Sequence, residues 1–123
     1  MEKTKLFEGE LKLMELLWRN EGESAKELSL LAAREIGWNK NTTYTVIKKL
    51  IAKGAIERSE PGFVCRSLIT REETGREEAR EVLRTFFGGS AKSLFSAFMS
   101  DGTLSGEEAA ELKRMIDGHG RED

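Results

Sequence analysis

The sequence predicts a mainly α (α+β) chain: three short helices closed by a β-hairpin, then a helical C-terminal region. Three observations carry this. Apolar residues recur at helical spacing in three successive stretches before residue 54, each ended by glycine. Two β-prone runs flank the single proline, Pro61. From Thr70 onward the pattern returns to helical periodicity with capping signals. A boundary is therefore expected between residues 1–70 and 71–123.

Residues 6–18, LFEGELKLMELLW, form the first helix, with Leu11, Met14, Leu17 and Trp18 as its core stripe. Asn20-Glu21-Gly22 stops it. Ser24-Ala25-Lys26-Glu27 is a capping box that opens the second helix, and Ala25, Leu28, Leu31, Ala32 and Ile36 point inward. Gly37 ends that helix. Trp38 and Asn39-Lys40-Asn41-Thr42 then form the turn and N-cap of a third. Along this third helix Thr43, Val46, Ile47 and Leu50 share the inner face. Asn41, Tyr44, Thr45 and Lys48 gather on the outer one.

That outer face is unusual for so charged a chain. Lys40, Lys48, Lys49 and Lys53 occur with no carboxylate between Trp38 and Ile56. Amides and hydroxyls reach base edges in a DNA major groove, while cations hold phosphates. A solvated lysine-rich helix has a similar pattern, so the flanking elements decide. Ala55 to Arg58 and Phe63 to Ile69 alternate as strands around Ser59-Glu60-Pro61-Gly62, a turn. A hairpin directly after the third helix makes a winged helix-turn-helix, with Arg58 and Arg66 as phosphate candidates. Cys65 falls in an apolar strand and is expected as a buried small residue.

Thr70-Arg71-Glu72-Glu73 caps a long helix, dense in interleaved Glu and Arg and then apolar at Val82, Leu83, Phe86 and Phe87. Gly88-Gly89-Ser90 breaks it. Leu94, Phe95, Phe98 and Met99 follow on a short helix, and Asp101-Gly102 turns the chain. Ser105-Gly106-Glu107-Glu108 is a third capping box, with Leu104 as staple and Ala109, Leu112, Met115 and Ile116 inward. Four of the six phenylalanines lie between residues 86 and 98, too many for short helices to cover alone. An intertwined homodimer would bury them. Docking onto the N-terminal unit of the same chain is the alternative.

Composition narrows the function. Residues 39–66 hold six basic against two acidic side chains, net +4, whereas residues 70–123 hold 8 basic against 12 acidic, net −4. A basic module on an acidic one fits nucleic-acid binding by the first and assembly by the second, despite the overall net charge of −2. A single cysteine excludes an internal disulfide and a cysteine-cluster metal site, and His119 sits in a Gly- and charge-rich tail expected to fray. No metal or cofactor is expected. No grouping of residues supplies a base and a nucleophile, so an enzyme is not expected. No apolar run approaches the roughly 20 residues of a membrane span. The polar start MEKTK leads into no signal-peptide segment, so a reduced, cytoplasmic protein is expected.

Taken together, FEGELKLMELLW, SAKEL, NKNTTYTVIKKLIAKGAI, RTFFGGSAKSLFSAFM and LSGEEAAELKRMI resemble the penicillinase and methicillin-resistance repressor family (BlaI/MecI type) over about residues 6–117. The pairing of KGAI at a helix end with a downstream FFGGS is specific. The resemblance implies a dimeric winged-helix repressor on a palindromic operator of resistance or sensor-protease genes, released when a membrane sensor metalloprotease triggers its cleavage. Thr42 and Thr45 match threonines near the start of the family's recognition helix. The family's cleavage point is an Asn-Phe bond in the dimerisation helix, and here the aligned pair is Ala97-Phe98. The wing, EPGF, is shorter than in the β-lactam repressors. A related branch senses copper through a C-terminal cysteine cluster, which this chain lacks. The alternative to a repressor is a winged-helix protein–protein adaptor without DNA binding, with Tyr44 as interface anchor.

Overall fold

The computed structural model describes residues 5–122, with side chains placed for residues 5–120; Met1–Thr4, most of the polar start, lie outside it. The elements are α1 (Glu8–Arg19), α2 (Ala25–Glu35), α3 (Lys40–Ala52), β1 (Ile56–Ser59), β2 (Val64–Ser67), α4 (Arg71–Phe87), α5 (Ala91–Ser100) and α6 (Gly106–Glu122). Three helices followed by an antiparallel hairpin form the expected winged helix-turn-helix.

Short polar side chains start five of these helices. Ser24 Oγ accepts from the Glu27 amide at 3.1 Å, Asn39 Oδ1 from Thr42 at 2.8 Å, and Thr70 Oγ1 from Glu73 at 3.0 Å. Ser90 and Ser105 do the same for α5 and α6, each at 3.0 Å. At Ser105 the box is reciprocal, because Glu108 Oε1 also accepts from the Ser105 amide at 3.5 Å. At Ser24 the flanking backbone is drawn into the sheet instead. Ser24 bridges Val64, the Gly22 amide donates to the Cys65 carbonyl at 3.2 Å, and the Cys65 amide donates to Glu23 at 2.9 Å. The turn between α1 and α2 thus supplies a one-bridge third strand, which the sequence reading did not anticipate.

Leu13, Met14, Leu16 and Leu17 of α1 meet Ala25, Leu28 and Ala32 of α2, and Ile47 and Leu50 of α3, in one core closed by Ala55, Ile56 and Cys65. The stripe expected on α1 was narrower. Leu13 and Leu16 are buried while Leu11 and Trp18 are half-buried, because α2, α3 and β2 all pack on this helix and cover a wide arc of it. Burial pushes the Cys65 thiol up to about 11, as suits an inert core residue.

The chain separates into two compact units, one ending at Glu77 and the next beginning at Glu78, so α4 starts in the first and passes into the second. No side chain of α4, α5 or α6 is buried among the described residues. Phe86 is 75% exposed and Met115 63%. Gly88 and Gly89, with φ of 57° and 82°, make the break before α5. α6 runs on through Gly118, His119 and Gly120, where a frayed tail was expected. Neither Gly118 nor Gly120 ends it.

Candidate nucleic-acid interface

The outward face of α3 follows from what its inner face buries. Thr43, Ile47 and Leu50 are buried, and the Thr43 hydroxyl donates back to the Asn39 carbonyl at 3.3 Å. Steps of about 100° then leave Asn41, Thr45, Lys48 and Ala52 along the opposite line, with Thr42 and Lys49 beside it, and all six are exposed. Lys40, Lys48 and Lys49 make no ion pair among the described residues. The first turn of α3 carries no acidic side chain, so the positive end of its dipole is uncompensated. A helix so dressed accepts anions at its start and offers hydrogen-bonding groups along its length.

Tyr44 differs from its neighbours. It is half-buried, its ring set edge-on against Phe63 of the wing turn at 5.9 Å between centroids, with Lys40 Nζ 5.7 Å from its own centroid. Its ring is committed to packing between helix and wing.

Lys53, counted in the basic stretch, serves the fold. Its ammonium donates to Glu10 Oε1 at 2.6 Å and to the Lys5 carbonyl at 2.9 Å, and lies 4.5 Å from the Phe7 ring centroid. Glu10 is buried and also accepts from the Phe7 amide at 2.9 Å. Burial alone would raise this carboxyl. The Lys53 and Phe7 hydrogen bonds outweigh it and hold the group below its ordinary value. The end of α3 is thereby pinned to the start of α1.

On the wing, Glu57 faces Arg66 and Arg58 faces Cys65 across the ladder. Both arginines are exposed. Arg66 reaches back toward Gly22, where an added Cβ would meet Nη1 at 3.0 Å. Arg58 is already engaged: Nε donates to Glu60, and the guanidinium lies 3.6 Å from the Phe63 ring centroid. The other Glu60 oxygen accepts from the Phe63 amide at 3.2 Å, and the two contacts, Arg58 foremost, lower this carboxyl's pKa. The sequence places Glu60 in the turn and Phe63 at the head of the second β-prone run, and marks neither as a site residue. Glu60 was visible as the acid two residues from Arg58; Phe63 gave no polar signal.

The dimerisation candidates fall in the second unit. Leu83, Phe87, Leu94, Phe98 and Leu112 are half-buried there, and Phe86, Phe95, Met99, Met115 and Ile116 are exposed. Phe95, Met99, Leu104, Ala109, Leu112 and Ile116 line an apolar groove of about 440 Å³ between α5 and α6. Ala97 and Phe98 sit inside α5, Ala97 exposed. No described helix is long and apolar enough to cross a membrane.

The sequence pattern of penicillinase repressors matches residues 6–118. The penicillinase repressor of Bacillus licheniformis is 26% identical over 116 residues, spanning 93% of this chain and 91% of that protein. The methicillin resistance regulatory protein MecI of Staphylococcus aureus (strain N315) is 24% identical over 109 residues, spanning 87% of this chain and 89% of that one. Among solved structures, the DNA-binding domain of the repressor BlaI matches at 25% identity with a TM-score of 0.54, over 59% of this chain and 93% of that domain. The monomeric form of Bacillus licheniformis BlaI, solved in complex with the blaP half-operator, matches at 25% identity with a TM-score of 0.52, again over 59% of this chain and 93% of that one. The chain belongs to the penicillinase repressor family.

Proposed function

We propose that this chain is a dimeric, sequence-specific transcriptional repressor that binds a palindromic DNA operator in the cytoplasm. The observation that carries the reading is the outer face of α3, with Asn41, Thr45 and Lys48 in one exposed line and no carboxylate among them. Family membership supports it, as does the matching BlaI structure, which is a complex with a half-operator. In this reading Asn41, Thr42 and Thr45 meet base edges; Lys40, Lys48, Lys49, Arg58 and Arg66 meet phosphates; and Tyr44 holds the helix against the wing. The domain from residue 71 onward dimerises. Support for that comes from the apolar residues of α4 to α6 that the single chain leaves uncovered, Phe86 and Met115 foremost.

Release by proteolysis is the family's mode implied by the resemblance. With alanine in place of asparagine at Ala97-Phe98, a membrane sensor metalloprotease that requires asparagine would leave this chain whole.

Filter retention of random-sequence duplex across a salt series tests the DNA reading. The chain is expected to retain duplex at low salt and to lose it steeply as salt rises, by roughly 0.9 in log-log slope per phosphate contacted. Retention that is absent or independent of salt would instead indicate a protein–protein adaptor.

A further inference from the structure

Arg58, Phe63, Tyr44 and Lys40 form one continuous stack, from strand β1 through the wing turn to the first turns of α3. The guanidinium carbon lies over the Phe63 ring, 3.6 Å from its centroid, Phe63 meets Tyr44 edge-on at 5.9 Å with 80° between planes, and Lys40 stands 5.7 Å from the Tyr44 centroid. A cation therefore caps each end of an aromatic pair. Glu60 takes the Arg58 Nε, and neither terminal nitrogen of the fork makes a hydrogen bond or ion pair among the described residues. The aromatic residue sits at this turn against a backbone preference. Phe63 has φ 51°, in the left-handed region that favours glycine, directly after Gly62 at φ 93°. A glycine at position 63 would fit that backbone more easily and would provide no surface for the guanidinium.

We propose that Phe63 is a positioning residue for DNA binding: its ring holds the Arg58 guanidinium at a fixed offset from α3, so that wing and recognition helix present their cations to the phosphates as one rigid set. A long arginine side chain otherwise loses rotamer freedom when it meets a phosphate; one already stacked and ion-paired loses less. The Phe63 side chain carries no charge and no hydrogen-bonding group. Its contribution to binding passes through Arg58, and the edge contact with Tyr44 fixes where the ring sits. The inference rests on the DNA-binding reading above.

The test is a double-mutant cycle on the full-length chain, with retention of random-sequence duplex at low salt as readout and the thermal midpoint measured alongside. Arg58→Gln is expected to weaken binding about threefold to tenfold and to lower the salt slope by about 1. Phe63→Gly, which suits the backbone and removes no charge, is expected to weaken binding by a similar factor. The pair together should be no weaker than Arg58→Gln alone. Phe63→Tyr, which keeps the ring, should bind as the wild type does. A general loosening of the wing would multiply with Arg58→Gln, so multiplied losses would overturn the proposal. Wild-type binding by Phe63→Gly would overturn it too, as would loss of binding by Phe63→Tyr at an unchanged thermal midpoint. Were the wild-type chain itself to show no salt-dependent retention, the DNA-binding reading would fall, and this inference with it.

Discussion

Glu10 and Lys53 stand 43 residues apart in sequence and meet at 2.6 Å, with 7% of the Glu10 side chain exposed. A carboxylate so enclosed depends on its cation. Lys53→Met should cost about 1–3 kcal/mol in a denaturant titration, because it leaves a buried charge with one backbone donor. The pH dependence has a definite sign. The folded-state pKa of Glu10 is depressed, so the pair's contribution is present above the ordinary value of 4.5 and is lost as pH falls through the lowered one. The stability gap between wild type and Lys53→Met should therefore narrow below pH 4.5. A gap that stays constant into acid would show that Glu10 gains nothing from Lys53. The sequence offered no hint of this pair. Lys53 looked like one more cation of a basic stretch, and Glu10 lies in a helix read for its apolar stripe alone. Contacts this distant in sequence carry no periodicity.

At the scale of elements, helix starts were legible because a cap is a local device. Asn39, Ser24, Thr70 and Ser105 each accept from the amide three residues on, a contact fixed by sequence spacing alone. Asn39→Ala should lower the thermal midpoint by an amount equivalent to about 1 kcal/mol, the usual contribution of an N-cap; an unchanged midpoint would mean that the start of α3 is held by packing instead. The one-bridge strand at Ser24 was not legible, since a single bridge has no alternation to read. Nor was the engagement of Arg58 by Glu60 and Phe63, since in the sequence Arg58 is only a phosphate candidate. Within α3 the two kinds of DNA contact predict different losses. Asn41→Ala and Thr45→Ala should each cost about 1–3 kcal/mol at particular base pairs with the salt slope unchanged. Lys48→Ala should weaken binding to all duplexes and lower the slope by about 1. Competition binding against single-base variants of a selected site separates them. Uniform losses from Asn41→Ala and Thr45→Ala would remove those residues from base reading.

At the scale of the molecule, the two units differ in what they bury. The first closes its own core around α1. The second leaves Phe86, Met115 and Ile116 largely exposed, at 75%, 63% and 62%. Sequence reading located this excess of apolar surface because it is a matter of composition: four phenylalanines within thirteen residues of one another and little chain to cover them. It could not show the groove between α5 and α6, which depends on how those helices cross. If two copies cover that surface, two α3 helices are tied together, and each half-site raises the effective concentration of its partner for the other. The property that follows is symmetry in the DNA that is chosen. In vitro selection of the full-length chain on a randomised duplex pool measures it directly. An inverted repeat is expected, with half-sites about one helical turn of 10–10.5 base pairs apart or a multiple of that. A pool with no enrichment, or one enriched in a single motif without its inverted copy, would contradict it.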